Sequence, residues 1–164
     1  MKNIQYYIAI VVISAVLPVH AFAMFFFFES DHSMYGVGDM ARIDVYLDTN
    51  DTIINTISGE IIIETNTFSV NDIIDGNSSV LFWVDKPVFN ADTQSVVFSG
   101  ISPGGISGDT LFLFSIEGTM MQTGGGASFE VKDGIVLLHD GEGTQQSVSF
   151  IPKTIFVSAD NSTV

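Results

Sequence analysis

From residue 25 to residue 157, apolar and polar side chains alternate in short runs, and almost no stretch repeats every three or four residues. Such a chain can put one row of side chains into a core only as β-strand, because successive strand residues point to opposite faces. Residues 41–48 place Ile43, Val45 and Leu47 on one side and Asp44, Tyr46 and Asp48 on the other. Residues 55–65 repeat the pattern, with Ile57, Gly59, Ile61 and Ile63 opposed to Ser58, Glu60, Ile62 and Glu64. Turn signals such as Asp75-Gly76-Asn77 and Gly124-Gly125-Gly126 separate the runs. Nine strands are expected, over residues 25–30, 41–48, 55–65, 68–74, 80–84, 95–99, 110–118, 126–138 and 147–157, with Asp133-Gly134 as a bend or bulge in the eighth. Strands with one apolar face must bury it against another sheet, so the expected class is all-β, two antiparallel-type sheets packed as a sandwich.

Residues 1–23 read as an export signal: Lys2, an apolar run over residues 6–17, a breaker at Pro18 and the small-residue pattern Ala21-Phe22-Ala23. Cleavage after Ala23 is expected, which leaves one domain of about 140 residues, over 24–158, and a polar tail or linker start over 159–164. The alternative is an uncleaved membrane anchor, since residues 24–28 prolong the apolar stretch. Without cysteine, an exported domain has no disulfide and must rely on its apolar core. With 5 basic against 19 acidic residues the net charge is −14, which repels phosphate backbones and excludes nucleic acid as a partner. The expected location is secreted or at the cell surface.

Gly100-Ile101-Ser102-Pro103-Gly104 spells the pattern of a hydrolase nucleophile elbow around Ser102. An elbow needs a strand-to-helix turn and a backbone N–H on the residue after the nucleophile. That residue is Pro103, which has no N–H, and a glycine-rich stretch and another strand follow. A tight surface turn is the expectation, and no catalytic residue is assigned. His32 and His139 are far apart in sequence and there is no cysteine, so a zinc site lacks its ligands. Asp48-Thr49-Asn50-Asp51 and Asp140-Gly141-Glu142-Gly143-Thr144 crowd oxygen ligands on short loops without EF-hand spacing. They read as acidic turns; no cofactor is expected, with calcium the one ion left to test. Phe82 and the sole tryptophan, Trp83, are neighbours on a strand, so one of them lies outside; an outward Trp83 would offer a stacking surface to a sugar. Asn50, Asn77 and Asn161 begin Asn-x-Ser/Thr patterns on expected loops.

The order of segments resembles a cohesin domain, the β-sandwich module of bacterial cellulosome scaffolds, within a superfamily that includes some carbohydrate-binding modules. The resemblance spans residues 25–150 and rests on several pieces in order. They are Val37-Gly38-Asp39 before residues 43–48, residues 54–61, residues 96–100, residues 103–108 before Leu111-Phe112-Leu113-Phe114, and the closing residues 138–144. It implies a nine-stranded jelly-roll sandwich without catalysis that binds a protein partner, dockerin-type or other, through one sheet face. In the family, strands three, five, six and eight form that face. Carried onto this chain, the partner-binding residues are Ser58, Glu60, Ile62 and Glu64, then Val97 and Ser99, then Ser128 and Glu130. Apolar residues mixed with carboxylates suit a partner carrying apolar anchors and Lys or Arg. The alternatives are a carbohydrate-binding module, with polysaccharide held at Trp83, or a structural subunit of a surface assembly joined through residues 25–28. A membrane enters only if the N-terminal segment stays uncleaved or a longer chain carries an anchor.

Overall fold

Wherever the sequence alternates, the chain is extended, and none of the described residues is helical. The computed structural model describes residues 24–158 apart from residues 65, 123 and 124. The expected export signal over 1–23 and the tail over 159–164 lie outside the described residues. Eleven strands follow in chain order: β1 (Met24–Ser30), β2 (Met34–Tyr35), β3 (Met40–Asp48), β4 (Ile54–Glu64), β5 (Phe68–Ile74), β6 (Phe82–Asn90), β7 (Ser95–Ile106), β8 (Leu111–Met120), β9 (Gly126–Leu138), β10 (Gln145–Phe150) and β11 (Lys153–Val157).

Two sheets face each other, one in the order β5-β8-β3-β1 and the other β9-β4-β7-β6. β10 joins them, pairing antiparallel with β9 through residues 145–147 and parallel with β1 through residues 148–150. β11 pairs antiparallel with β9 and parallel with β2. Both sheets are thus mixed where antiparallel-type sheets were expected, because β1 runs parallel to β10 and β2 parallel to β11.

Three expectations change. The ninth strand divides at Pro152, which has no N–H for a ladder; Ile151 N–H donates instead to Phe26 O at 2.8 Å. The fifth extends past residue 84 to Asn90, with register shifts on either side of Asp85 that accommodate Lys86 and Pro87. The sixth continues from Ser99 to Ile106, so the glycine-rich segment is no turn between strands. It is a bulge inside β7: Thr56 pairs with Ile101, Ile54 pairs with Ile106, and residues 102–105 loop out between them. Gly105, at φ 75°, takes the left-handed conformation this bulge needs.

The core lies between the sheets and is rich in phenylalanine. Phe26, Phe68, Phe98, Phe114 and Phe129 are fully buried. Phe98 and Phe114 meet edge-on at 5.3 Å, as do Phe68 and Phe129 at 5.5 Å, so rings from both sheets interlock. Each buried ring contributes roughly 2–3 kcal/mol by removing apolar area from water. That supply replaces the cross-links a cysteine-free chain lacks.

Candidate functional site: the outer face of β9-β4-β7-β6

Strand β4 buries Ile57, Ile61 and Ile63 at 2%, 0% and 1% exposure and turns Ser58, Glu60, Ile62 and Glu64 outward, as the period of two requires. Its neighbours hold these residues in rows across the sheet. Glu64 faces Ser128. Ile62 lies between Glu130 on β9 and Ser95 on β7, and Ser95 faces Asn90 on β6. Glu60 lies between Lys132 and Val97, with Val88 beyond. Ser58 lies between Ile135 and Ser99, with Asp85 beyond. Thr56 lies between Leu137 and Ile101, with Phe82 beyond. All eight residues carried over from the resemblance therefore sit on one surface of one sheet.

The β6 side of this surface was not legible in the sequence. Phe82 is 61% exposed, Val88 64%, Val97 50% and Ile101 36%. Val84 and Leu81 stand exposed beside Phe82. Apolar pairs on β6 and β7 thus alternate with Ser99 and Asp85, while the carboxylates of Glu60, Glu64 and Glu130 lie with Lys132 and Ile62 on β4 and β9. Lone exposed apolar residues are ordinary; here they stand in cross-strand pairs, Phe82 with Ile101 and Val88 with Val97, on either side of Asp85 and Ser99. The available signal was the Phe82-Trp83 pair; Lys86-Pro87 hid the rest of β6 by breaking the alternation.

Trp83 turns the other way. It lies opposite Gly100, and its indole meets Phe98 and Phe114 edge-on at 6.4 and 6.2 Å on the core side. A Cβ at Gly100 would overlap Val80 and come within 2.9 Å of the indole, so only glycine admits the ring. Trp83 is thus a core contact, and Phe82 is the outward member of the pair. Ser102 is 2% exposed, and its Oγ accepts the Leu81 N–H at 3.3 Å. Its hydroxyl closes the bulge instead of facing a substrate.

Each acidic loop turns one carboxylate, Asp48 or Asp140, onto its own backbone. Asp48 Oδ1 accepts the Asn50 N–H at 2.6 Å, where Asn50 and Asp51 both adopt positive φ. Asp140 Oδ1 accepts the N–H groups of Glu142 and Gly143, each at 2.9 Å, and of Thr144 at 3.4 Å. The Thr144 hydroxyl and these backbone donors bring the Asp140 carboxyl down to about 2. Among the described residues no group of three or more histidine, aspartate or glutamate side chains is placed to hold a metal ion.

The sequence matches no protein-family model and no curated protein. Solved structures do match. A cohesin module from a family 33 glycoside hydrolase of Clostridium perfringens superposes with a TM-score of 0.67 at 14% identity, covering 83% of this chain and 97% of that one. A non-cellulosomal cohesin from the hyperthermophilic archaeon Archaeoglobus fulgidus gives 0.66 at 15% identity, covering 84% and 92%. A type I cohesin solved in a cohesin–dockerin complex from Clostridium thermocellum gives 0.66 at 8% identity, covering 83% and 94%. The all-β class, the two packed sheets and these superpositions agree, and the chain has the cohesin fold.

Proposed function

We propose that this chain is an exported, noncatalytic module that binds a protein partner of dockerin type through the outer face of β9-β4-β7-β6. The observation that carries the reading is the exposure of two apolar pairs, Phe82–Ile101 and Val88–Val97, on either side of the Ser99–Asp85 pair and beside a strip of carboxylates. A partner that buries those side chains gains affinity from their desolvation, while Lys or Arg on its rim gains orientation from Glu60, Glu64 and Glu130. The signal-like residues 1–23 support action outside the cell.

Titration calorimetry against a panel of dockerin modules tests the reading. One or more should bind, and Ile62→Asp or Glu60→Lys should weaken that binding, the former by more than about tenfold because it buries a charge at the contact. Binding left intact by both substitutions would remove the face assignment. Absence of binding across the panel would remove the partner class.

A further inference from the structure

A second surface of a different make lies on the opposite side of the sandwich. β1 alternates buried Phe26 and Phe28 with half-buried Phe25 and Phe27. Phe27 lies opposite Tyr46 of β3, and Tyr46 lies opposite Phe112 of β8. Phe25 and Phe27 approach to 5.7 Å, Phe27 stacks on Tyr46 at 5.2 Å and 16°, and Tyr46 meets Phe112 at 5.7 Å and 63°. Four rings thus form an unbroken rib across three strands.

Carboxylates border the rib. Asp48 is opposite Phe25, Glu29 is opposite Asp44, and Glu117 is opposite Arg42. Arg42 is the one cation in these paired positions, and it is engaged by Asp44 at 2.8 Å, which also accepts the Ser115 hydroxyl at 2.6 Å. Glu29 stands exposed beside the rings, while Glu117 adds its charge to that of Asp44 at Arg42 and Asp48 also accepts the Asn50 N–H through Oδ1. Burial, and then the charges of Asp44 and Glu29, raise the Tyr46 phenol above its ordinary value.

We propose that this rib is a second docking surface, whose occupant is a basic segment of a partner protein. The methylene stems of Lys or Arg lie along the rings while their charged heads reach Asp48, Glu29 and Glu117. Charge decides against a second copy of this chain, since rib on rib would press like carboxylates together. Ring geometry decides against a polysaccharide. The rings stand against one another at 16°, 47° and 63°, and no common plane is left for sugars to lie on. An anionic membrane is repelled by a chain of net charge −14.

The test uses the full chain carrying Phe82→Ser, Val88→Ser, Val97→Ser and Ile101→Ser, which removes the exposed apolar side chains paired across β6 and β7 on the first face and leaves the rib intact. A ten-residue peptide alternating lysine and leucine should bind it at least about tenfold more tightly than the glutamate–leucine counterpart, and should shift the ring resonances of Tyr46 and Phe112. Adding Tyr46→Ser with Phe112→Ser keeps every charge and should weaken binding about tenfold; adding Glu29→Gln with Asp48→Asn keeps every ring and should do the same. The second pair guards against loss of folding in the first. Unchanged affinity in both pairs overturns the proposal, as does failure of the peptide to bind the starting variant. Self-association or retardation by a polysaccharide that disappears with the ring substitutions overturns it in favour of those occupants. Dockerin binding, measured on the unaltered chain and on Ile62→Asp, reports separately on the first face.

Discussion

The two outer faces of this sandwich obey one alternation and leave their apolar side chains in different states. On β9-β4-β7-β6, Val88 and Val97 stand opposite each other and remain 64% and 50% exposed. On β5-β8-β3-β1, the rings of Phe25, Phe27, Tyr46 and Phe112 half-bury one another. Period two says only which side a residue takes. How much water it keeps depends on the reach of the side chain on the next strand, and aromatic rings span that gap where valine does not. The apolar side chains of the first face therefore stay open to water in the free chain, whereas the rib gains part of its burial in folding.

The largest effect should come from the rings that both sheets share. Phe114→Ala removes a ring wedged between Phe98 and Trp83 and should cost about 3–5 kcal/mol of unfolding free energy, read from the urea midpoint. A cost below about 1 kcal/mol would mean that the two sheets are not locked through this cluster, and the faces could not be treated as separate.

Next in size is the contrast between equivalent substitutions on the two faces. Val97→Asp should reduce partner affinity by about 2 kcal/mol or more while moving stability by no more than about 0.5 kcal/mol. Phe27→Asp should do the reverse, lowering stability by about 1–2 kcal/mol through loss of its stack on Tyr46 and leaving dockerin-type binding unchanged. Equal stability losses at the two positions would erase the distinction. Smaller again, at about 1 kcal/mol or less net, is Tyr46→Ala, whose two lost ring contacts of about 0.5–1.5 kcal/mol each are offset in part because the half-buried site rehydrates.

These contrasts rest on cross-strand neighbours, and neighbours were the part of the molecule the sequence could not show. Alternation alone placed Ile57, Ile61 and Ile63 inside and Ser58, Glu60, Ile62 and Glu64 outside. It could not say that Glu60 would sit between Lys132 and Val97, because that register depends on a shift between Ser58 and Glu60 and on strands distant in the chain. The glycine-rich segment of β7 reads as a turn in the sequence because its residues are turn formers. Tertiary pairing on both flanks drew it into the sheet and left only residues 102–105 to bulge. Phe82 and Trp83 were known to diverge, and which one faced the core was settled by Gly100, whose missing side chain makes room for the indole. The rib went unread for a related reason. Phe25, Phe27, Tyr46 and Phe112 come from three segments, and only the order β8-β3-β1 makes them adjacent.

The smallest effect offers the sharpest separation of the two faces, because the rib contains a titrating ring and the apolar rows of the first face contain none. Burial chiefly raises the Tyr46 phenol, with Asp44 and Glu29 adding to it. Tyr35, buried beside β11 and donating its hydroxyl to Asp31, is raised to about 12 and serves as an internal reference away from both faces. In each case the folded state resists ionisation more than the unfolded chain does. The resulting stability is therefore fully present below pH 10 and declines as the pH climbs from there through the folded-state values. Denaturant midpoints measured from pH 9 to 12 should fall in the unaltered protein. Tyr35→Phe should flatten most of that fall, and Tyr46→Phe a smaller part. A slope untouched by Tyr46→Phe would show its ring as open to water as Val88 and Val97 are, and the rib would then be no better covered than the face it is contrasted with.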